Sequence, residues 1–185
     1  MSGRVVLLHG TSSSGKTTVA RAVQRRSDEP WVLLGIDAFW NAIDERWMEH
    51  GPHARDGFLW TEDARILPGP IGQRLATGMR AAVSALARAG NDVLVDDVFI
   101  DPDWLDGWRA ELADLEWLLV GVLAPVHVLE EREKARGNRL AGEARAQADV
   151  VHRGIEYDLT VETSRQSPDE CARAILAALS QRTTT

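Results

Sequence analysis

One segment near the N-terminus limits what this chain can fold into more than any other: Gly-Thr-Ser-Ser-Ser-Gly-Lys-Thr at residues 10–17. It matches the pattern G-x-x-x-x-G-K-[ST], in which glycines let the backbone turn its N–H groups around a phosphate. The apolar run Val5–Leu8 precedes it and a helical pattern follows it, which is the strand–loop–helix context that this motif requires. The segment therefore predicts a phosphate-binding loop for ATP, with a serine-rich turn of no function as the alternative.

The residue types in this loop indicate separate roles. The lysine neutralises the β- and γ-phosphate oxygens, and the threonine hydroxyl after it ligates Mg²⁺. The predicted nucleotide contacts are Gly10, Ser12, Ser13, Ser14, Gly15, Lys16, Thr17 and Thr18, and Thr17 is also a predicted metal ligand.

Apolar runs alternate with helical patterns along the chain, which is typical of an α/β protein with a parallel sheet. The predicted strands are Val5–Leu8, Trp31–Ile36, Val93–Val95, Trp117–Leu123 and Tyr157–Val161. Helices are predicted at 16–25, at 71–86 (with Gly90 as C-terminal cap), after Pro102 and after Pro125. The helix after Pro102 has a predicted buried stripe of Trp104, Leu105, Trp108 and Leu112. Another helix is predicted from Pro168 to about Ser180, with Ser167 and Glu170 as a capping box. The i, i+3, i+7 spacing of Trp40, Ile43 and Trp47 predicts one more. We expect one domain over residues 1–185, with a charged lid at about 132–148 and an acceptor-site insertion at about 38–70, read as a loop or short hairpin.

Composition excludes several classes of function. The chain has 185 residues and a formal net charge of −7, which does not favour non-specific binding of nucleic acid. No apolar run approaches the length of a membrane span, and the N-terminus lacks the layout of a signal peptide. The single cysteine, Cys171, allows no intrachain disulfide. We therefore expect a cytoplasmic protein, and the sequence leaves its oligomeric state open.

Acidic residues follow two of the predicted strands. Asp37 comes directly after the second strand, where a carboxylate can accept the proton of a substrate hydroxyl; a helix cap is the equal alternative. Asp96 and Asp97 end the third strand, and such a carboxylate commonly holds Mg²⁺. Adjacent strand residues point to opposite faces, so only one of the two should face the nucleotide. We assign Asp96 to the metal and Asp97, with Val98 and Phe99, to the acceptor, while the reverse assignment of the two aspartates stays open.

Two further groups of side chains are candidates. The lid contains Arg132, Arg136 and Arg139, which could bring cations to the transferred phosphate; a solvated charged helix is the alternative. Trp40 near Asp37 could contact an apolar acceptor, although tryptophans at helical spacing are more often core residues. His9, His127 and His152 have no metal-ligand spacing, and each is expected to be a structural or surface residue.

Together these segments resemble the chloramphenicol 3-O-phosphotransferase family of P-loop kinases. The resemblance is carried by residues 10–17, Gly35-Ile-Asp37, Asp96-Asp-Val-Phe99, Ala135–Gly142 and Gln147–Thr163, which span most of the chain. It implies a five-stranded parallel sheet with helices on both faces and a mobile lid. It also implies that Asp37 is the catalytic base and that Lys16, Thr17 and Arg136 serve phosphate and Mg²⁺.

The segment from about Phe39 to Pro70 departs from the family pattern. In such kinases this region would form the wall of the acceptor pocket, so the resemblance implies the chemistry more firmly than the substrate. The predicted function is an ATP- and Mg²⁺-dependent kinase for a small-molecule hydroxyl, with an antibiotic as the first candidate acceptor. A sugar or small-metabolite kinase is the alternative, followed by a nucleotide-dependent switch or binding module.

Overall fold

The computed structural model describes residues 2–61, 66–99, 102–136, 143–148 and 150–182. The strands are β1 (Val5–His9), β2 (Trp31–Gly35), β3 (Met48–Glu49), β4 (Phe58–Trp60), β5 (Ile66–Pro68), β6 (Asp92–Asp97), β7 (Trp117–Leu123) and β8 (Leu159–Glu162). The helices are α1 (Lys16–Arg26), α2 (Ile36–Trp40), α3 (Pro70–Arg88), α4 (Pro102–Glu111), α5 (Val126–Arg136), α6 (Glu143–Ala148) and α7 (Pro168–Arg182). None of the described helices is long and apolar enough to cross a membrane.

Five of the strands form one sheet in the order β2–β6–β1–β7–β8, with every neighbouring pair parallel. The predicted α/β fold with a five-stranded parallel sheet is therefore confirmed. β1 lies at the centre, and all five of its side chains are buried. An uninterrupted apolar run suits this position, because a parallel strand is covered by helices on both faces.

Side chains alternate along β1 between two separate cores. Val6 and Leu8 pack with residues of α1 and α7 on one face of the sheet. Val5 and Leu7 pack with residues of α3 and α4 on the other face. The expected helices on both faces are thus present. Of the predicted stripe, Leu105 and Trp108 of α4 and Leu112 just after it are buried, while Trp104 is half-buried.

Two predicted helix ends are confirmed. Gly90 follows α3 with a φ of 94°, a left-handed conformation that glycine adopts without strain. At the start of α7, the Ser167 N–H donates to Glu170 Oε2 at 2.8 Å, and the Glu170 N–H donates to Ser167 Oγ at 3.3 Å. This reciprocal pair is the capping box that the sequence predicts.

The helix predicted from the spacing of Trp40, Ile43 and Trp47 is wrong. α2 ends at Trp40, and Glu45–Trp47 forms a separate turn of 3-10 helix. The Asp44 carboxylate causes the restart, because it accepts a hydrogen bond from the Arg46 N–H at 3.0 Å. Aspartate favours such local capping over a place inside a helix.

The segment after this turn forms a small second sheet in the order β3–β4–β5. β4 and β5 are antiparallel, as the hairpin alternative predicts, whereas β3 pairs with β4 in parallel. Gly57 lets the chain pass close to the turn, because a Cβ atom there would lie 2.0 Å from the Trp47 carbonyl oxygen. The insertion therefore has its own backbone pairing beyond a simple loop.

The end of β1 is fixed by a buried hydrogen-bonded chain of side chains. His9 Nε2 lies 3.0 Å from the Phe99 carbonyl oxygen, and its Nδ1 lies 2.7 Å from the Tyr157 hydroxyl. A carbonyl only accepts, so Nε2 carries the hydrogen and Nδ1 accepts from Tyr157. The Tyr157 oxygen, 2.7 Å from His152 Nδ1, then accepts from that nitrogen. The last strand is predicted to begin at Tyr157, but β8 begins at Leu159, so Tyr157 lies before the strand.

His9 is structural, as predicted, and its burial lowers its pKa from 6.5 to about 3. Between these values the unfolded chain binds a proton that the folded chain does not, so the free energy of unfolding rises with pH. We expect wild-type stability to fall as the pH decreases from 6.5 to about 4.5. His9→Gln should remove up to about 1.4 kcal/mol per pH unit from that slope in denaturant titrations.

The exposed His127 offers a matched control, because His127→Gln makes the same chemical change on the surface. We expect this variant to keep the wild-type slope. A His9→Gln protein with an unaltered slope would contradict the assignment of a buried, neutral His9.

Candidate functional site

A cleft lies at the carboxyl ends of β1, β2 and β6, which meet at one edge of the parallel sheet. It encloses about 610 Å³, counting space open to solvent. Residues from the loop after β1, the β2–α2 junction, β5, β6 and α6 line it: Ser12, Ser13, Gly15, Lys16, Thr17, Gly35, Ile36, Asp37, Trp40, Ile66, Asp96, Val98 and Gln147. Open α/β sheets bind their ligands at this edge.

The loop from Gly10 to Gly15 has the backbone of an anion cradle. Ser13 and Gly15 adopt positive φ values of 63° and 95°, and such turns direct successive N–H groups into one concavity. Gly10 is tightly enclosed, since a Cβ there would lie 2.4 Å from the Val122 carbonyl oxygen. The hydroxyls of Thr11, Ser12, Ser13 and Ser14 are buried without a hydrogen-bond partner in the described part of the chain. Polar groups left unpaired around a concave loop are typical of a ligand site.

Lys16 lies over this loop and is only 7% exposed. Its ammonium donates to the carbonyl oxygens of Gly10 and Thr11, each at 2.9 Å. It also lies 3.7 Å from Asp96 Oδ1. The cation is therefore held within the cleft beside the loop, where an anionic ligand would meet it.

Asp96 is the aspartate of β6 that faces this cation. Its Oδ2 accepts a hydrogen bond from Thr17 Oγ1 at 2.5 Å, and it lines the cleft. In the described residues, no cluster of three or more His, Cys, Asp or Glu side chains could hold a metal ion. A cation bound by Thr17 and Asp96 would consequently need further ligands, such as phosphate oxygens and water.

Asp97 points to the opposite face of the sheet and is fully buried. Its Oδ2 accepts from the indole N–H groups of Trp108 at 2.9 Å and Trp104 at 3.1 Å, and its Oδ1 accepts from the Val98 N–H at 2.8 Å. Burial raises the pKa of Asp97, while these three donors act in the opposite direction. The prediction that Asp97 contacts the acceptor is therefore corrected, since its oxygens are enclosed by α4.

Phe99 requires the same correction. Its ring stacks on His9 with centroids 3.7 Å apart, and the residue is only 3% exposed. Val98, between these two buried residues, does line the cleft. Alternation along the chain therefore leaves Asp96 and Val98 on the cleft side and turns Asp97 and Phe99 inward.

Asp37 lies in the first turn of α2 and is exposed in the cleft. Gly35 occupies the N-cap position of that helix, so Asp37 is the second residue of the helix. The helix begins directly after β2, whose Gly35 pairs with Asp96 of β6. The same cleft thus contains a carboxylate at Asp37, a cation at Lys16 and the Thr17–Asp96 pair.

Arg132, the predicted lid arginine whose side chain the structure describes, is placed differently from the prediction. Arg132 donates to Thr163 Oγ1 and to the Thr163 carbonyl oxygen, each at 2.9 Å, and to the Ser13 and Ser14 carbonyl oxygens at 3.4 Å. Its guanidinium therefore supports the carbonyl side of the loop, not the side of the N–H cradle. The Arg136 side chain and Arg139 lie outside the described residues.

Trp40 stands at the cleft and belongs to an aromatic group with Phe58 and Trp60. Their ring centroids lie 6.0 Å and 6.2 Å from that of Trp40. Trp47 instead contacts His53, with ring centroids 4.6 Å apart. Trp40 thus keeps its predicted position beside Asp37, with the aromatic residues of the small sheet behind it.

Some residues of the cleft were missed by the sequence prediction, and some predicted residues, such as Thr18, do not line it. Ile36, Ile66 and Gln147 line the cleft although the sequence predicted no role in the site for any of them; Ile36 and Gln147 lie in segments that carry the family resemblance. Thr18 is exposed in the first turn of α1 and does not line the cleft.

Comparison with known proteins gives concordant matches. A family model described as chloramphenicol phosphotransferase-like protein matches residues 3–180. A protein of Mycobacterium tuberculosis that carries the provisional name O-phosphotransferase is 32% identical over 186 residues, covering 94% of this chain and 80% of its own.

Solved structures with the same fold include APS kinase CysC of M. tuberculosis in complex with AMPPNP and APS. It has a TM-score of 0.65 and 23% identity, with 97% of this chain and 98% of that chain covered. The tunicamycin resistance protein of Deinococcus radiodurans has a TM-score of 0.64 and 17% identity, with 95% and 94% covered. At these identities the two structures show a shared fold.

Asp96 and Asp97 should contribute differently to the free energy of unfolding, and this difference can be measured. Asp97→Asn places an amide N–H₂ among three donors, so we expect a loss of about 2–3 kcal/mol in the free energy of unfolding. Asp96→Asn keeps an oxygen that can accept from Thr17, so it should cost less, about 1 kcal/mol. Denaturant unfolding of both variants tests this, and equal losses would contradict the assignment of Asp97 as the structural member of the pair.

Proposed function

The chain belongs to the chloramphenicol phosphotransferase-like family, and from this we propose that it is an ATP- and Mg²⁺-dependent kinase for a small-molecule hydroxyl. An antibiotic is the first candidate acceptor. The observation that carries the proposal is the cleft itself, in which the phosphate-type loop, Lys16, the Thr17–Asp96 pair and Asp37 meet. Phosphoryl transfer needs little covalent chemistry from the protein beyond such positioning and charge.

The loop fits the phosphates of a nucleotide. Its positive-φ turns, its unpaired buried hydroxyls and the buried ammonium of Lys16 form a cradle for negative charge. Thr17 and Asp96 would hold Mg²⁺, which proteins commonly bind through one or two side chains plus substrate phosphates and water. When bound, the ion offsets negative charge on the transferred phosphoryl group.

Asp37 is the proposed general base. As a carboxylate at the open end of the cleft, it would accept the proton of the acceptor hydroxyl and orient the oxygen for in-line attack. Lys16 would stabilise the negative charge that shifts towards the leaving nucleotide. Arg136, the family's second phosphate position, is proposed to add a cation from the lid.

The side chains around Asp37 favour a neutral acceptor with apolar surface. Ile36, Trp40, Ile66 and Val98 line the same cleft as Asp37, and in the described lining Lys16 is the one cation. An acidic acceptor would meet the carboxylates of Asp37 and Asp96 without an arginine or lysine of its own among these residues. An aromatic or otherwise apolar hydroxyl compound gains more from this wall.

The fold is shared with a kinase crystallised with APS and with a tunicamycin resistance protein, so both metabolites and antibiotics are reasonable acceptor classes. A sugar or small-metabolite kinase therefore remains the second candidate. A nucleotide-dependent switch or binding module is the third, and it would use the same loop without transfer.

A substrate panel separates these candidates. Wild-type protein, ATP and Mg²⁺ would be incubated with chloramphenicol, tunicamycin, neutral sugars and hydroxy acids, with ADP release and mass spectrometry as readouts. Added phosphate on an antibiotic supports the first candidate, and transfer only to sugars or acids supports the second. ATP binding without ADP release on any hydroxyl compound would favour the third and overturn the kinase proposal.

The role of Asp37 has its own prediction. Asp37→Asn should keep nucleotide affinity, because the loop is unchanged, and should lower kcat roughly 10²- to 10⁴-fold, as expected when a general base is lost. Steady-state ADP release and calorimetric nucleotide binding give the two numbers. Asp28→Asn, an exposed aspartate in the turn between α1 and β2, serves as the matched control and should behave as wild type. Near-normal turnover of Asp37→Asn would refute the base assignment.

A further inference from the structure

Gln147 is a buried polar residue of the cleft to which no motif assigns a role. It lies on α6 and is 3% exposed, yet it lines the cleft beside the phosphate-type loop. Its side-chain oxygen Oε1 accepts a hydrogen bond from the Ser12 N–H at 2.8 Å. A side chain of the lid therefore occupies one of the N–H groups with which the loop would bind a phosphate.

A nucleotide phosphate competes with Gln147 for this N–H group. The amide oxygen is neutral, whereas a phosphate oxygen is charged, and charge-assisted hydrogen bonds are shorter and roughly twice as strong. Both acceptors reach the same concave loop, so binding of a phosphate at Ser12 requires the amide of Gln147 to turn or withdraw.

The contacts of α6 with its neighbours determine how this exchange would affect the helix. At its first turn, the Ala144 N–H donates to Glu133 Oε1 of α5 at 2.9 Å, a buried contact. Arg145 adds an exposed ion pair with Glu130, of a kind that contributes little to stability. The contact from Gln147 to Ser12 is thus a buried polar contact that joins this short helix to the loop.

We propose that Gln147 is a positioning residue that couples occupancy of the phosphate site to the lid helix. In one arrangement, the one seen in this structure, its amide oxygen accepts from the Ser12 N–H. With nucleotide bound, the amide turns and its N–H₂ group donates to a phosphate oxygen, which draws α6 onto the ligand. This inference rests on the proposed ATP-binding function.

An amide suits both states, because it contains one acceptor and two donors on the same side chain. A glutamate keeps only the acceptor. It would hold the Ser12 N–H in the first arrangement at least as well as glutamine, but would repel a phosphate. A methionine of similar length has neither strong group. These differences separate a phosphate-sensing role from simple support of the loop.

The test compares Gln147→Glu with Gln166→Glu. Gln166 is a matched control, because its Oε1 also accepts from a backbone N–H, that of Glu162 at 2.7 Å, and it does not line the cleft. Calorimetry would measure the affinity for AMPPNP with Mg²⁺. We expect Gln147→Glu to weaken binding at least roughly tenfold through like-charge repulsion, and a cooperative unfolding transition would show that the variant is folded. Gln166→Glu should bind as the wild type does.

A second readout follows the lid directly. Amide hydrogen exchange over residues 144–148 should change on addition of AMPPNP in the wild type and change less in Gln147→Met, which should also bind a few-fold more weakly. Wild-type affinity in both Gln147 variants would overturn the inference while leaving the kinase proposal intact. Failure of the wild type itself to bind AMPPNP would overturn both.

Discussion

The central position of β1 is the constraint on which the rest of the structure depends. The strand is hydrogen-bonded in parallel to β6 on one side and β7 on the other, and its five side chains are all buried. The chain can leave such a strand only at the carboxyl edge of the sheet. The glycine-containing loop therefore begins there, enclosed by the Val122 carbonyl on one side and supported by Arg132 and Thr163 on its carbonyl side.

At the end of β6, the same sheet geometry places one aspartate in the cleft and the next in the core. Two carboxylates follow each other in sequence, and the alternation of strand side chains directs them to opposite faces. Asp96 meets Thr17 and Lys16 in the cleft. Asp97 instead joins β6 to α4 through two indole donors, and so it stabilises the strand end from which Asp96 projects.

Local patterns in the sequence were enough to predict the sheet, the phosphate-type loop and the capped ends of α3 and α7. Each of these depends on a few consecutive residues, such as the run Val5–Leu8 or the pair Ser167 and Glu170. The choice between Asp96 and Asp97 could not be made in this way, because it depends on which face α4 covers. The roles of Arg132 and Gln147 were equally inaccessible, since their partners in the loop lie 119 and 135 residues away.

The two halves of the cleft arise from different positions in the sheet, because β2 is an edge strand and β1 is the central strand. The loop that holds Lys16 arises from the centre of the sheet, whereas Asp37, Trp40 and the small β3–β4–β5 sheet follow the strand at its edge. Insertions and substitutions after an edge strand leave the pairing of the central strands intact. A change in this edge segment can therefore reshape the cleft beside Asp37 and Trp40 while the strands that position Lys16 keep their pairing.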